Sequence, residues 1–292
     1  MELRRIASSE SRLGFPMAII RPLLERARQR RPMPLIWPPL IIGHRGAAGD
    51  APENTLAAFE LALRQGGDGI EFDVHLSADG IPVVIHDPRL DRTTSGGGLV
   101  CEHRASLLRR LDAGSWFNQR FPSKARQRYA AAKIPLLSEV LAWVRERKCV
   151  AFVEIKGDAP GIETKVVADI ERAGVKSLAT VISFDPAALN RLHQLDSRVS
   201  LGLDVSRRLL AIRRAKSVGA VALLPHWAIA SRRFILRAHQ NSMRVFAWTI
   251  DQPRWMRRRI ADGVDGIITN YPARLAALRA RYEGHTLELG GK

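Results

Sequence analysis

Two cysteines in 292 residues, Cys101 and Cys149, leave this chain without a disulfide scaffold or a four-cysteine zinc site. Neither stands in a Cys-x-x-Cys pair, so both read as ordinary reduced residues. Long apolar runs are missing as well. The stretch "LGFPMAIIRPLL" (13–24) is interrupted by Pro16, Arg21 and Pro22. It falls short of the roughly 20 residues of a membrane span and lacks the cleavage site of a secretory leader. The expected address is the cytoplasm, with a peripheral position at the inner membrane face as its variant. Acidic residues are scarce: 29 Asp and Glu face 46 Lys and Arg, a formal charge of +17. Such an excess suits nucleic acid, an anionic membrane or an anionic substrate. The arginines run along the whole chain with no zinc-finger or RNP pattern, so specific nucleic-acid recognition is not expected.

Residues 1–38 carry eight arginines and end in "RPMPLIWP", where closely spaced prolines deny a regular element. This segment reads as a disordered or loosely docked basic arm, with a short amphipathic helix over "IIRPLLERARQRR", able to touch an anionic membrane surface, as the alternative. From residue 40 the pattern becomes regular. Strand-like runs lie at 40–44, 69–76, 150–156, 179–184, 199–205, 220–226, 244–250 and 265–270. Amphipathic helical patterns lie at 54–65, 137–147, 161–173, 186–195, 207–217, 231–241, 253–262 and 272–282. Eight strand–helix units over about 240 residues are the count and size of a TIM barrel. A doubly wound sheet competes, but no G-x-G-x-x-G follows the first strand. The expected domains are the arm (1–38), a barrel (39–284) with an insertion at about 88–135, and a tail (285–292).

One run breaks the alternation. "IPVVIHD" (81–87) follows the second strand after only Ser77-Ala78-Asp79-Gly80. A parallel crossover needs a dozen residues or more, so the two runs should form an antiparallel hairpin. Pairing Leu76 with Ile81 sets Val74 against Val83 and Glu71 against His86. The segment 113–133 reads as part of an insertion with no second core.

Glu71 and Asp73 are two residues apart on one strand and share a face. Glu154 and Lys156 repeat that spacing on "FVEIK". On one barrel, three carboxylates and an ammonium would gather at the carboxyl-end rim, where such barrels carry chemistry. An all-oxygen set suits one hard divalent ion, Mg²⁺ or Ca²⁺. Arg45 and Lys156 suit phosphoryl oxygens. His44 and His86 suit a proton acceptor and a proton donor. Cleavage of a phosphate ester needs charge stabilisation, an activated nucleophile and a protonated leaving group, and this set supplies all three.

"IIGHRGAAGDAPENTLAAFELAL", "GIEFDVHLSADGIPVVIHD", "FVEIK", "FAWTID" and "DGIITNYP" together resemble, in order, the motifs of the glycerophosphodiester phosphodiesterase family. The likeness covers about residues 40–275. It implies a TIM barrel with a small inserted subdomain and hydrolysis of glycerophosphodiesters to an alcohol and glycerol 3-phosphate. It also implies a divalent metal at Glu71, Asp73 and Glu154, an acid/base pair of His44 and His86, and a phosphate clamp of Arg45 and Lys156. By the same likeness Trp248 matches an aromatic that packs on the glycerol, with a barrel-core Trp as the alternative. Asn270 stands where relatives are expected to carry Asp, and its role stays open. Glu53 lies in the motif, yet Pro-Glu-Asn-Thr is also a helix start capped by Asn54 or Thr55. His75 reads as structural and "TTSGGG" (93–98) as a turn. Two other readings stand beside the leading one. One is a lysophospholipase D-like enzyme working on acylated substrates at a membrane. The other is a catalytically inert basic protein that binds anions or nucleic acid. The sequence does not fix the head group or the oligomeric state.

Overall fold

In the computed structural model, which describes residues 36–289, eight parallel strands close into a barrel wrapped by helices. The strands are β1 (Leu40–His44), β2 (Gly69–Leu76), β3 (Pro82–Val84), β4 (Val150–Ile155), β5 (Ala179–Ser183), β6 (Ser200–Val205), β7 (Ala222–Pro225), β8 (Arg244–Ala247) and β9 (Gly266–Thr269). β3 is the hairpin partner of β2; the other eight run in parallel, and β1 closes the ring by pairing with both β2 and β9. The helices are α1 (Leu56–Arg64), α2 (Ala105–Leu108), α3 (Ser115–Arg120), α4 (Leu137–Arg147), α5 (Ile162–Ala173), α6 (Pro186–Leu195), α7 (Ala211–Ser217), α8 (Arg232–Gln240), α9 (Pro253–Asp262) and α10 (Pro272–Leu289). Among the described residues, no helix is long and apolar enough to cross a membrane.

Alternation along each strand builds two apolar layers. Odd and even side chains face opposite sides of the sheet. One set, including Ile42, Phe152, Ile182, Leu224, Phe246 and Ile268, fills the barrel. The other, including Ile41, Phe72, Val153, Leu203 and Ile267, packs under the helices. Near the amino ends of the strands the interior is closed by a buried ion pair. Asp265 accepts from Arg244 Nη1 at 2.7 Å and from the Val245 amide at 2.8 Å, and His239 Nε2 lies 2.7 Å away. The Asp265 carbonyl accepts from the Leu40 amide, so one residue ties β8, β9, α8 and β1 together.

The hairpin forms, but its register is one residue away from the expected one. Val74 faces Val84, His75 faces Val83 and Leu76 faces Pro82, so His86 does not stand opposite Glu71. The reason is the turn. Gly80 adopts φ +67°, and Ser77 pairs with Ile81 around a three-residue loop that takes up one residue more than a two-residue turn. A second difference concerns the segment expected as helix at 207–217. Leu210 takes φ +61°, a left-handed conformation, and the helix begins only at Ala211. The hairpin and the inserted stretch share a small core of Val83, Ile85, Leu90, Val100, Ala105, Leu108, Ala113 and Ile134, to which the segment 113–133 contributes Ala113. Within 113–133 itself, Phe117 and Tyr129 pack instead on Ala51 and Ala58 of the barrel. The basic arm falls on residues 1–35, outside the described residues, apart from Ile36 to Pro38; Ile36 packs on the barrel interior.

Removing one partner of a buried ion pair leaves an uncompensated charge. Asp265→Ala is therefore expected to lower folding stability by about 3 kcal/mol or more. Chemical denaturation measures this; a loss under about 1 kcal/mol, the scale of an exposed pair, would contradict it.

Candidate active site

The carboxyl ends of β1, β2 and β4 place the predicted residues side by side. Strand register sets His44 beside Glu71 and Asp73 beside Glu154. Alternation turns all three carboxylates inward. One oxygen from each of Glu71, Asp73 and Glu154 lies within 4.8 Å of the other two. All three are buried; Glu71 Oε1 accepts no hydrogen bond, and Asp73 Oδ1 is met by the Lys156 ammonium at 3.2 Å. Buried carboxylate oxygens without donors are costly unless a cation meets them. The donor chemistry therefore fits a hard divalent ion.

The electrostatics carry the same message. Burial, and then the charges of Asp73 and Glu154, push the Glu71 carboxyl well above its ordinary range. Burial and Asp73 push Glu154 up as well. Burial would raise Asp73 too, but Arg45 foremost, then Lys156 and His86, overcome it and hold that carboxyl ionised. The cluster thus has too few positive charges for three carboxylates, and two of them are driven towards the protonated form.

Arg45 has φ +51°, an unfavourable conformation for a residue with a side chain. Its geometry explains why it is kept there. The Arg45 amide donates to Glu71 Oε2 at 3.0 Å, and Nη1 donates to Glu53 Oε1 at 2.8 Å. Nε sits 3.2 Å from Asp73 Oδ2. The next residue, Gly46, also has positive φ, and a Cβ there would meet the Ala58 backbone of α1 at 2.5 Å. Lys156 Nζ approaches Glu154 Oε1 at 2.6 Å and Asp73 Oδ1 at 3.2 Å. Asp73 is fixed further by Asn54, which donates to Oδ2 at 2.8 Å and accepts from the Asp73 amide at 3.3 Å. Thr55, not Asn54, caps α1.

His44 has a defined tautomer. Asn270 Nδ2 donates to Asp251 Oδ2 at 2.7 Å. A carboxylate only accepts, so the amide oxygen of Asn270 must face the other way, where it lies 2.8 Å from His44 Nδ1. The proton of neutral His44 is thereby on Nδ1, and Nε2 is left as a base, 3.9 Å from Glu71 Oε2. Burial, and then Arg45, pull the imidazole pKa down to about 4, so the ring is neutral at pH 7.

His86 follows β3 on the other side of the site. Its Nδ1 lies 2.6 Å from Asp87 Oδ1, and its carbonyl lies 3.0 Å from His75 Nε2. Arg92 bridges Asp87 at 2.6 Å and Glu53 at 2.7 Å. Glu53 is thus the joint between the His86 side and Arg45, not a member of the carboxylate cluster. Trp248 spends its indole N–H on the Leu224 carbonyl at 2.6 Å and stands edge-on to Phe184 and His226. A cleft of about 780 Å³ opens from His44 and Arg45 between Arg92, Trp116, Phe121 and Tyr271, so α3 of the insertion forms one wall.

Three residues escaped the sequence reading. Asn54 was hidden inside a helix-start motif, though its tolerance of φ +57° was a signal. Asp251, which follows β8, accepts from the Asn270 amide and side chain and so positions it. Asp204 stands in the apolar run of β6; burial, then Glu154 and Glu71, push its carboxyl far above the ordinary range, and its Oδ2 has no hydrogen-bond partner.

Residues 44–274 match the Glycerophosphoryl diester phosphodiesterase family. The chain is 35% identical over 243 residues to a glycerophosphodiester phosphodiesterase of Caldanaerobacter subterraneus subsp. tengcongensis, covering 82% of this chain and 97% of the relative. It is also similar to the crystal structure of a glycerophosphodiester phosphodiesterase from Agrobacterium tumefaciens, with 31% identity, a TM-score of 0.72, and coverage of 82% and 99%. A phosphodiesterase from Oleispira antarctica, solved in complex with the product sn-glycerol-3-phosphate, shares 30% identity and a TM-score of 0.72, covering 82% of this chain and 96% of its own. A family match over residues 44–274 and a relative 35% identical over most of both chains decide the matter: the chain belongs to the glycerophosphoryl diester phosphodiesterase family.

Proposed function

We propose that this chain hydrolyses glycerophosphodiesters to glycerol 3-phosphate and an alcohol, with one divalent cation, Mg²⁺ or Ca²⁺, held by Glu71, Asp73 and Glu154. The observation that carries the reading is the buried cluster of three carboxylates, with Glu71 Oε1 lacking any donor, set between Arg45, Lys156 and a neutral His44. The product bound by the Oleispira antarctica relative supports the substrate class. When bound, the cation supplies charge stabilisation at the phosphoryl oxygens. Arg45 and Lys156 hold those oxygens by a guanidinium fork and a point charge. His44 Nε2 takes the proton of the attacking hydroxyl. An O–P bond forms, the O–P bond to the alcohol breaks, and His86 gives a proton to the departing oxygen. Two nucleophiles suit that base: water, and the glycerol 2-hydroxyl, which closes a cyclic diester that water then opens. Trp248 borders the glycerol with its ring face, since its N–H is already engaged.

Cation binding should relieve the carboxylate repulsion. Adding Mg²⁺ or Ca²⁺ to chelator-treated protein should raise the melting temperature and restore turnover. A cation at about 100 times its Kd stabilises by about 2.7 kcal/mol. Glu71→Gln should abolish the shift without lowering the melt of the metal-free form. A melt indifferent to cations, with full activity after exhaustive EDTA treatment, would refute the metal reading.

The histidines should separate by substrate. His86→Ala should lose roughly 10²- to 10⁴-fold on diesters with poor alcohol leaving groups and spare a nitrophenyl phosphodiester. His44→Ala should impair both. Equal losses for both substrates in His86→Ala, with cation content intact, would remove the leaving-group role.

Asn270 acts through His44. Asn270→Leu should reduce kcat roughly 10²-fold with KM little changed, since the base loses its fixed tautomer. An unchanged kcat would show that the His44 Nδ1 contact orients nothing.

A further inference from the structure

From Val205 to Ile250 the chain has eight arginines and one lysine and not one Asp or Glu. Of these cations only Arg244 is buried, on Asp265. The rest sit on two neighbouring elements, the segment around α7 and the helix α8. Arg208, Arg213, Arg233 and Arg237 line a groove of about 440 Å³ together with Leu210 and Phe234. Among the described residues, none of these four arginines pairs with a carboxylate. Clustered cations without counter-charges repel one another, and an anionic surface relieves that repulsion.

Large apolar side chains stand among them. Leu209 is 79% exposed, Leu210 47% and Leu236 50%. The left-handed Leu210 is what keeps 206–210 out of the helix, and Arg208 Nε holds the loop by donating to the Ile229 carbonyl at 2.9 Å. The loop follows the carboxyl end of β6, so it projects from the same rim of the barrel as the carboxylate cluster. A nucleic-acid surface would offer aromatic platforms, yet the one ring lining the groove, Phe234, is buried. Exposed leucines ringed by arginines match the boundary between headgroups and acyl chains, where leucines enter and guanidinium groups meet phosphates.

We propose that the β6–α7 loop and α8 form a docking face for a bilayer rich in anionic phospholipid. Leu209, Leu210 and Leu236 enter the headgroup boundary, and Arg208, Arg213, Arg233 and Arg237 meet lipid phosphates. The mouth of the barrel then faces the membrane. The proposal does not depend on the catalytic reading.

The test is co-sedimentation of the full chain with vesicles of phosphatidylcholine, with and without phosphatidylglycerol, at low ionic strength. The wild type should partition onto the mixed vesicles and not onto phosphatidylcholine alone. The pair Leu209→Ser with Leu210→Asn, and the triple Arg213→Glu, Arg233→Glu, Arg237→Glu, should each reduce that partition about tenfold or more. Asn suits the left-handed position, so the paired variant should melt as the wild type does. If a variant melts early, Leu209→Ser alone, at the most exposed leucine, gives the deciding measurement. Three results overturn the proposal. The first is a wild type that binds neither vesicle; the second is variants that bind as the wild type does, which places any contact elsewhere; the third is a leucine variant that binds normally while single-stranded DNA competes, which identifies a general polyanion surface.

Discussion

Three carboxylates held within reach of one another inside a protein repel, and the molecule around them is organised by that repulsion. Glu71 and Asp73 share a face because a strand alternates, and Glu154 joins them because β4 pairs with β2 in register. Two fixed cations, Arg45 and Lys156, neutralise only part of the charge. Burial, and then the remaining imbalance, push Glu71 and Glu154 towards protonation and make the cluster receptive to a divalent ion. Glu53 and the left-handed backbone hold Arg45 in place, and Asn54 fixes the Asp73 carboxylate that both cations meet.

The same charge environment decides what His44 is. Arg45 beside a buried imidazole favours the neutral ring. The Asp251–Asn270 pair then chooses which nitrogen carries the proton. Asn270 comes from the end of β9 and His44 from the end of β1, and the two meet because closure of the barrel makes the last strand a neighbour of the first. Barrel closure itself is secured at the opposite end, where Asp265 joins Arg244, Val245, His239 and Leu40. Stability and chemistry thus occupy the two ends of one set of strands, a division usual for this architecture.

A basic excess can come from many places on a chain. Here much of it is concentrated on one side of the barrel. Residues 205–250 carry the cations of two adjacent helical elements with no carboxylate to offset them, and the leucines among them are exposed. The charge of the site and the charge of this face have different physical purposes: the first balances buried carboxylates, the second faces outward.

The alternation of apolar runs and helical patterns determined the barrel, because period-2 and period-3.6 hydrophobicity are local properties. The His-Arg-Gly, Glu-Phe-Asp-Val and Phe-Val-Glu-Ile-Lys blocks named His44, Arg45, Glu71, Asp73, Glu154 and Lys156, since a charge inside an apolar strand must have a reason to be there. What the tertiary structure alone decided depends on contacts between distant segments or on single backbone torsions. The hairpin register turned on the φ of Gly80, and the start of α7 on that of Leu210. The tautomer of His44 turned on Asn270, 226 positions away. Asp204 was one carboxylate in an apolar run until folding brought β6 beside the charges of β2 and β4. Sequence periodicity fixes which face of a strand a residue occupies; only the closed sheet fixes what stands opposite it.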